Sequence, residues 1–302
     1  MPAAAAGGGA FPPAGGLAGT GAITGTAGGV APGGNLSNPA PGLLPEPPPV
    51  MGGAGGCRHS TVAFVIDGSG SMCEPFGMST RWNELRVALL DKTRGLIYKL
   101  QATANFGLYL YDGSIDTALL MSSPASMMGS GCSSLGSLRR IGATGCDQIV
   151  EVRAAANNAA MIDSRYPAAE LGGSTPTDRA MNFTIDRLIM QRPANYSPEM
   201  DPQFIILATD GAPNDICTGG AGGDGLLQQA NVVAAVDRAQ QAGITTFVIS
   251  LASDPALQAH LDMVAKHGDP KDPTARTYTP TNSEELVMTL TKVLGSALGC
   301  LF

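Results

Sequence analysis

Asp67, Ser69 and Ser71 alternate with glycines in Asp67-Gly68-Ser69-Gly70-Ser71-Met72, offering one carboxylate and two hydroxyls from a single short loop. Oxygen donors of this kind suit a hard cation. A dication such as Mg²⁺ asks for near-octahedral oxygen ligation at roughly 2.0–2.1 Å, and short Asp and Ser side chains on a tight loop can converge to that distance. Two more donors stand far along the chain. Asp210 opens Asp210-Gly211, and Thr175 lies within Gly172-Gly173-Ser174-Thr175-Pro176-Thr177. Thr177 is the alternative to Thr175 if the loop register shifts. Hydroxyls with few carboxylates leave a dication incompletely neutralised, so it keeps its attraction for an outside carboxylate. The expected chemistry is therefore binding. Hydrolysis would need a base within reach of a metal-bound water or a second metal. Asp112, Asp116 and Asp178 are the carboxylates that could approach, and each also reads as an ordinary turn or helix-start residue.

These donors must be carried by elements that end together. Val62-Ala63-Phe64-Val65-Ile66 stops at Asp67, and Phe204-Ile205-Ile206-Leu207-Ala208-Thr209 stops at Asp210. Continuous apolar runs of that length read as parallel strands buried on both faces, and open α/β sheets bind ligands beyond the carboxyl ends of such strands. Pro176 fits the first turn of a helix over 178–190, which would place the Thr175 hydroxyl at its entrance. Further strands are expected at 105–111, 118–122, 244–251 and 276–279. Helices are expected at 81–101, 147–164, 225–242, from the Asp254-Pro255 cap towards Gly268, and after the cap Asn282-Ser283-Glu284-Glu285. The fold class is α/β, a doubly wound, mostly parallel six-stranded sheet with helices on both faces.

Composition divides the chain. Residues 1–56 are dominated by Gly, Ala and Pro, with Glu46 their only charge, and cannot bury a core; they read as a disordered tether. Residues 57–302 suit one α/β domain. The net charge is −7, and no basic run exceeds Arg139-Arg140, which argues against nucleic acid as a partner. No apolar stretch approaches the ~20 residues of a membrane span. His59, His260 and His267 lack the spacing of a zinc site. Neither a nucleophile elbow nor a Walker phosphate loop is present, so no enzyme activity is expected.

The set Asp67-x-Ser69-x-Ser71, Thr175 and Asp210 resembles the metal-ion-dependent adhesion site of the von Willebrand factor type A (VWA) domain, over about residues 57–302. The resemblance implies Mg²⁺, or Mn²⁺ or Ca²⁺, held by Ser69, Ser71 and Thr175, with Asp67 and Asp210 acting directly or through water. It also implies a protein ligand whose Asp or Glu carboxylate completes the sphere, and an antiparallel edge strand at 118–122. Six cysteines, Cys57, Cys73, Cys132, Cys146, Cys217 and Cys300, fall at loops and chain ends. An even number without C-x-x-C spacing favours disulfides and an oxidising compartment, with 15 connectivities open to six cysteines. Adhesive A domains clamp their termini, which implies Cys57–Cys300; loop position pairs Cys73 with Cys217 and Cys132 with Cys146. The expected location is extracellular, periplasmic or at a bacterial cell surface, although no export signal is visible in the sequence. The expected function is metal-dependent adhesion or protein binding. The alternatives are a metal-dependent hydrolase and an intracellular partner of an ATP-driven chelatase or chaperone.

Overall fold

Strands form where the sequence is apolar throughout. The computed structural model describes residues 60–113, 148–214 and 225–299. In β1 (Thr61–Asp67) every residue after Thr61 is buried. A 3-10 turn (Gly70–Cys73) follows, then a two-stranded antiparallel hairpin of β2 (Pro75–Phe76) and β3 (Ser79–Thr80) that leads directly into α1 (Arg81–Leu90). After α2 (Leu96–Leu100) come β4 (Asn105–Asp112), β5 (Gln148–Ala155), α3 (Ala159–Arg165), α4 (Thr177–Met190) and β6 (Gln203–Thr209). The chain continues through α5 (Gly225–Gln241), β7 (Ile244–Ser250), α6 (Pro255–Gly268) and α7 (Ser283–Leu298).

The main sheet has the order β5-β4-β1-β6-β7. β4, β1, β6 and β7 are parallel, and β5 joins the β4 edge antiparallel. Side chains of β1 alternate between two cores, as the pleat requires. Val62, Phe64 and Ile66 pack with Trp82, Leu85 and Leu89 of α1 and with Leu286, Leu290 and Leu294 of α7. Ala63 and Val65 face Met181 and Ile185 of α4, Val232 and Val236 of α5, and Leu261 of α6. The doubly wound, mostly parallel α/β architecture is as expected.

Three details differ. The segment expected to be helical from 147 is a strand to Ala155, and helix begins only at Ala159. Val150 and Val152 sit opposite Leu110 and Leu108, so period-two alternation and the open edge of β4 decide the conformation. The expected 81–101 helix is two, because Asp91 Oδ1 accepts from the Thr93 and Arg94 amides and the Thr93 hydroxyl, turning the chain between α1 and α2. The strand expected at 276–279 is reduced to one parallel bridge, Ile249 to Tyr278. The sheet therefore has five strands among the described residues; the edge strand expected at 118–122 lies outside them. Asn282 caps α7 by accepting from the Glu285 amide, and the Glu285 carboxylate accepts in turn from the Thr281 amide. No helix among the described residues is long and apolar enough to cross a membrane.

Candidate metal centre

The chain leaves β1 for β4 on one side of the sheet and reaches β6 on the other, so the topological switch point lies between β1 and β6. Their carboxyl ends deliver Asp67 and Asp210 side by side. Pairing of Ile66 with Ala208 sets Asp67 against Thr209, whose hydroxyl donates to Asp67 Oδ2 at 2.7 Å. The other Asp67 oxygen accepts the Ser69 amide at 2.8 Å, folding the loop back over the strand end. That fold brings Ser69 Oγ and Ser71 Oγ to 3.2 Å from each other. Ser71 Oγ donates to Asp210 Oδ1 at 2.7 Å, a contact between residues 139 apart in sequence.

The third segment is laced to the other two through its backbone. Leu171 and Gly172 amides donate to Gly68 O at 2.9 and 2.8 Å, and Thr175 exchanges both backbone hydrogen bonds with Asn214 beyond β6. Gly172 and Gly173 have φ of 85° and 86°, a left-handed bend that a side chain would resist. A Cβ on Gly211 would stand 3.6 Å from Thr175 Oγ1 and 3.8 Å from Ser71 Oγ, so these two hydroxyls flank one glycine. Thr177 turns elsewhere. Its hydroxyl lies 3.1 Å from Tyr111 OH, buried under the loop, which leaves Thr175 as the threonine on the floor of the site. All five residues read from the sequence, Asp67, Ser69, Ser71, Thr175 and Asp210, thus gather at the switch point.

Charge at the site is already partly balanced. Burial, and then repulsion from Asp210, pushes the Asp67 carboxyl up to about 7. Burial also raises Asp210, against the lowering effect of the Ser71 hydroxyl and the Arg81 guanidinium. Arg81 was not singled out from sequence. Its Nη1 lies 2.7 Å from Asp210 Oδ2 and 2.8 Å from Glu74 Oε2, and donates to Ser71 O at 3.2 Å. The signal that could have flagged it is its place as first residue of α1, where the helix dipole disfavours a cation.

The donor set fits a hard dication. It comprises three hydroxyls and two carboxylates, and a guanidinium already rests on the Asp210 oxygen that Ser71 leaves open. No three His, Cys, Asp or Glu side chains gather as a metal site among the described residues, so a cation at this site would depend on the hydroxyls as well as the two carboxylates. Asp112 is 1 % exposed at the end of β4, and Asp178 sits in the first turn of α4; both are engaged by other groups. Asp116 lies outside the described residues, as do Cys57, Cys132, Cys146, Cys217 and Cys300. Cys73 is not free.

The model of the von Willebrand factor type A domain family matches residues 153–292. That span contains Thr175 and Asp210 and stops short of the Asp67-Ser71 loop. No curated protein matches the sequence. Among solved structures the chain is similar to the PilB minor pilin from Streptococcus sanguinis, with a TM-score of 0.52, 16% identity, and coverage of 80% of this chain and 61% of the pilin. A point mutant of that pilin gives a TM-score of 0.52 and 16% identity, covering 82% of this chain and 62% of the pilin. The pilus adhesin SpaC from Lactobacillus rhamnosus GG gives a TM-score of 0.50 and 13% identity over 80% of this chain and 31% of the adhesin. The chain thus spans about three fifths of the pilin and a third of the adhesin, and at these identities the likeness is one of fold. The fold is a doubly wound, mostly parallel α/β sheet, and the family match covers its part from the end of β5 into α7.

Proposed function

We propose that this chain is a metal-dependent adhesion module that captures an acidic group of a protein ligand. Ser69, Ser71 and Thr175 would hold Mg²⁺ or a similar dication through their hydroxyls, with Asp67 and Asp210 acting directly or through water; a ligand Asp or Glu would complete the sphere. One observation carries the reading above the others. Ser71 Oγ donates to Asp210 Oδ1 at 2.7 Å while Ser69 Oγ stands 3.2 Å from Ser71 Oγ, so distant loops present their oxygens to each other with little between them. Binding is preferred over hydrolysis because three of the five donors are hydroxyls, which would leave a bound dication its attraction for an outside carboxylate.

The pilin and pilus-adhesin folds support a place at a bacterial surface, and six cysteines support an oxidising compartment with bridges 57–300, 73–217 and 132–146. Titration of the full chain with MnCl₂ or MgCl₂ in a calorimeter tests the site. One ion per chain is expected, with Ser71→Ala weakening it at least about tenfold through loss of a direct oxygen donor. Equal binding by Ser71→Ala and the parent would reject the proposal. Peptide mapping of non-reduced protein tests the bridges, and thiols free at all six positions would reject the exported location.

A further inference from the structure

Arg81 holds two carboxylates with one nitrogen. Nη1 meets Asp210 Oδ2 at 2.7 Å, Glu74 Oε2 at 2.8 Å and Ser71 O at 3.2 Å, yet it has only two protons for three oxygens. Nε is buried without a partner, so the guanidinium makes no two-nitrogen fork through that edge. The two carboxylates differ in setting. The Asp210 side chain is 0 % exposed and that of Glu74 is 46 % exposed. Arg81 stands at the positive end of α1, where helix stability alone would not put it.

We infer that Arg81 is the resident counter-cation of the site: it neutralises Asp210 while no dication is bound, yields to Glu74 when one enters, and so sets cation affinity. The inference rests on the dication reading above and adds to it the residue that competes. Asp210 is the shared acceptor. Its Oδ1 faces the hydroxyl floor through Ser71 and its Oδ2 faces Arg81, so a dication on the floor and the guanidinium would press on one carboxylate from two sides. Glu74, already in contact with the same nitrogen, gives Arg81 a second acceptor without a large movement. With Asp67, Asp210 and Glu74 ionised, these three and Arg81 carry an excess of two negative charges, which one dication cancels. A weakened site of this kind favours cation and ligand carboxylate arriving together, because the ligand supplies the negative charge that Arg81 has offset.

The test is titration of the full chain with MnCl₂ alone, in parallel with thermal melting in excess chelator. Arg81→Met is expected to bind Mn²⁺ about tenfold tighter, the scale of one charge removed a few ångströms away at partial exposure. It should also melt lower than the parent in chelator and regain the difference with Mn²⁺. Arg81→Lys, which keeps the charge, should stay near the parent affinity. Glu74→Gln should weaken binding in the parent and much less in Arg81→Met, since Glu74 acts by drawing Arg81 away. Buried Trp82, whose Nε1 donates to Pro167 O, reports whether each variant keeps the fold; Arg81→Gln replaces Arg81→Met if that variant does not. Tighter Mn²⁺ binding by Arg81→Met than by the parent, with Arg81→Lys close to the parent, would support the inference. Parent-like or weaker binding by a folded, neutral Arg81 variant would overturn the inference and leave the dication site standing. No binding by either protein would overturn both.

Discussion

Asp67 is the residue on which the site turns, and its two oxygens are spent on architecture. One holds the Ser69 amide and the other the Thr209 hydroxyl, so it shapes the loop from beneath at 0 % exposure. Its carboxyl is raised from 3.8 to about 7, so between those values the folded chain binds more protons than the unfolded one. The sign follows: this group makes the ion-free protein less stable as pH rises through that window. Urea unfolding in chelator should show a lower midpoint at pH 8 than at pH 5, and Asp67→Asn should remove most of the difference; a midpoint rising over that range would contradict the assignment. The threonines separate just as sharply. Thr175→Val should weaken Mn²⁺ binding at least about tenfold by loss of an oxygen donor. Thr177→Val removes the hydroxyl beside Tyr111 OH and should leave cation binding unchanged while costing about 1 kcal/mol of stability. Calorimetry and urea unfolding of the pair would reveal any exchange of these roles.

At the scale of elements, the loops that present oxygens were legible because each carboxylate follows an unbroken apolar run. Val62-Ala63-Phe64-Val65-Ile66 and Phe204-Ile205-Ile206-Leu207 have no solvent face to alternate towards, which marks central parallel strands and fixes where they end. β5 was not legible, because its conformation comes from pairing with the β4 edge, and its Ala-rich end imitates the helix that starts at Ala159. Arg81 was not legible for a related reason: its place at a helix start marks an unfavourably sited cation, but its partner Asp210 lies 129 residues away and nothing local names it. The break between α1 and α2 rests on a close approach. A Cβ on Gly95 would lie 2.5 Å from both Asp91 N and Asp91 O, so Gly95→Ala should destabilise by roughly 1–3 kcal/mol through overpacking. A urea midpoint unchanged from the parent would show that the turn can open at no cost.

For the molecule as a whole, sheet order decides where the candidate site lies. Winding outward from β1 in both directions leaves the crevice between β1 and β6, and two apolar cores hold the strand ends in register beneath it. Loops fixed in this way present oxygens without reorganising, which suits the proposed capture of a carboxylate. A cation that binds only the folded state should raise its stability by about 2.7 kcal/mol at a hundred times the dissociation constant, and chelator should reverse the gain. The most direct measurement is a crystal of the full chain soaked in Mn²⁺ and read by its anomalous signal. One peak is expected at the β1–β6 crevice, within bonding distance of Ser69, Ser71 and Thr175 oxygens and beside Asp67 and Asp210. A crevice without a peak, or an ion bound only elsewhere, would contradict the account.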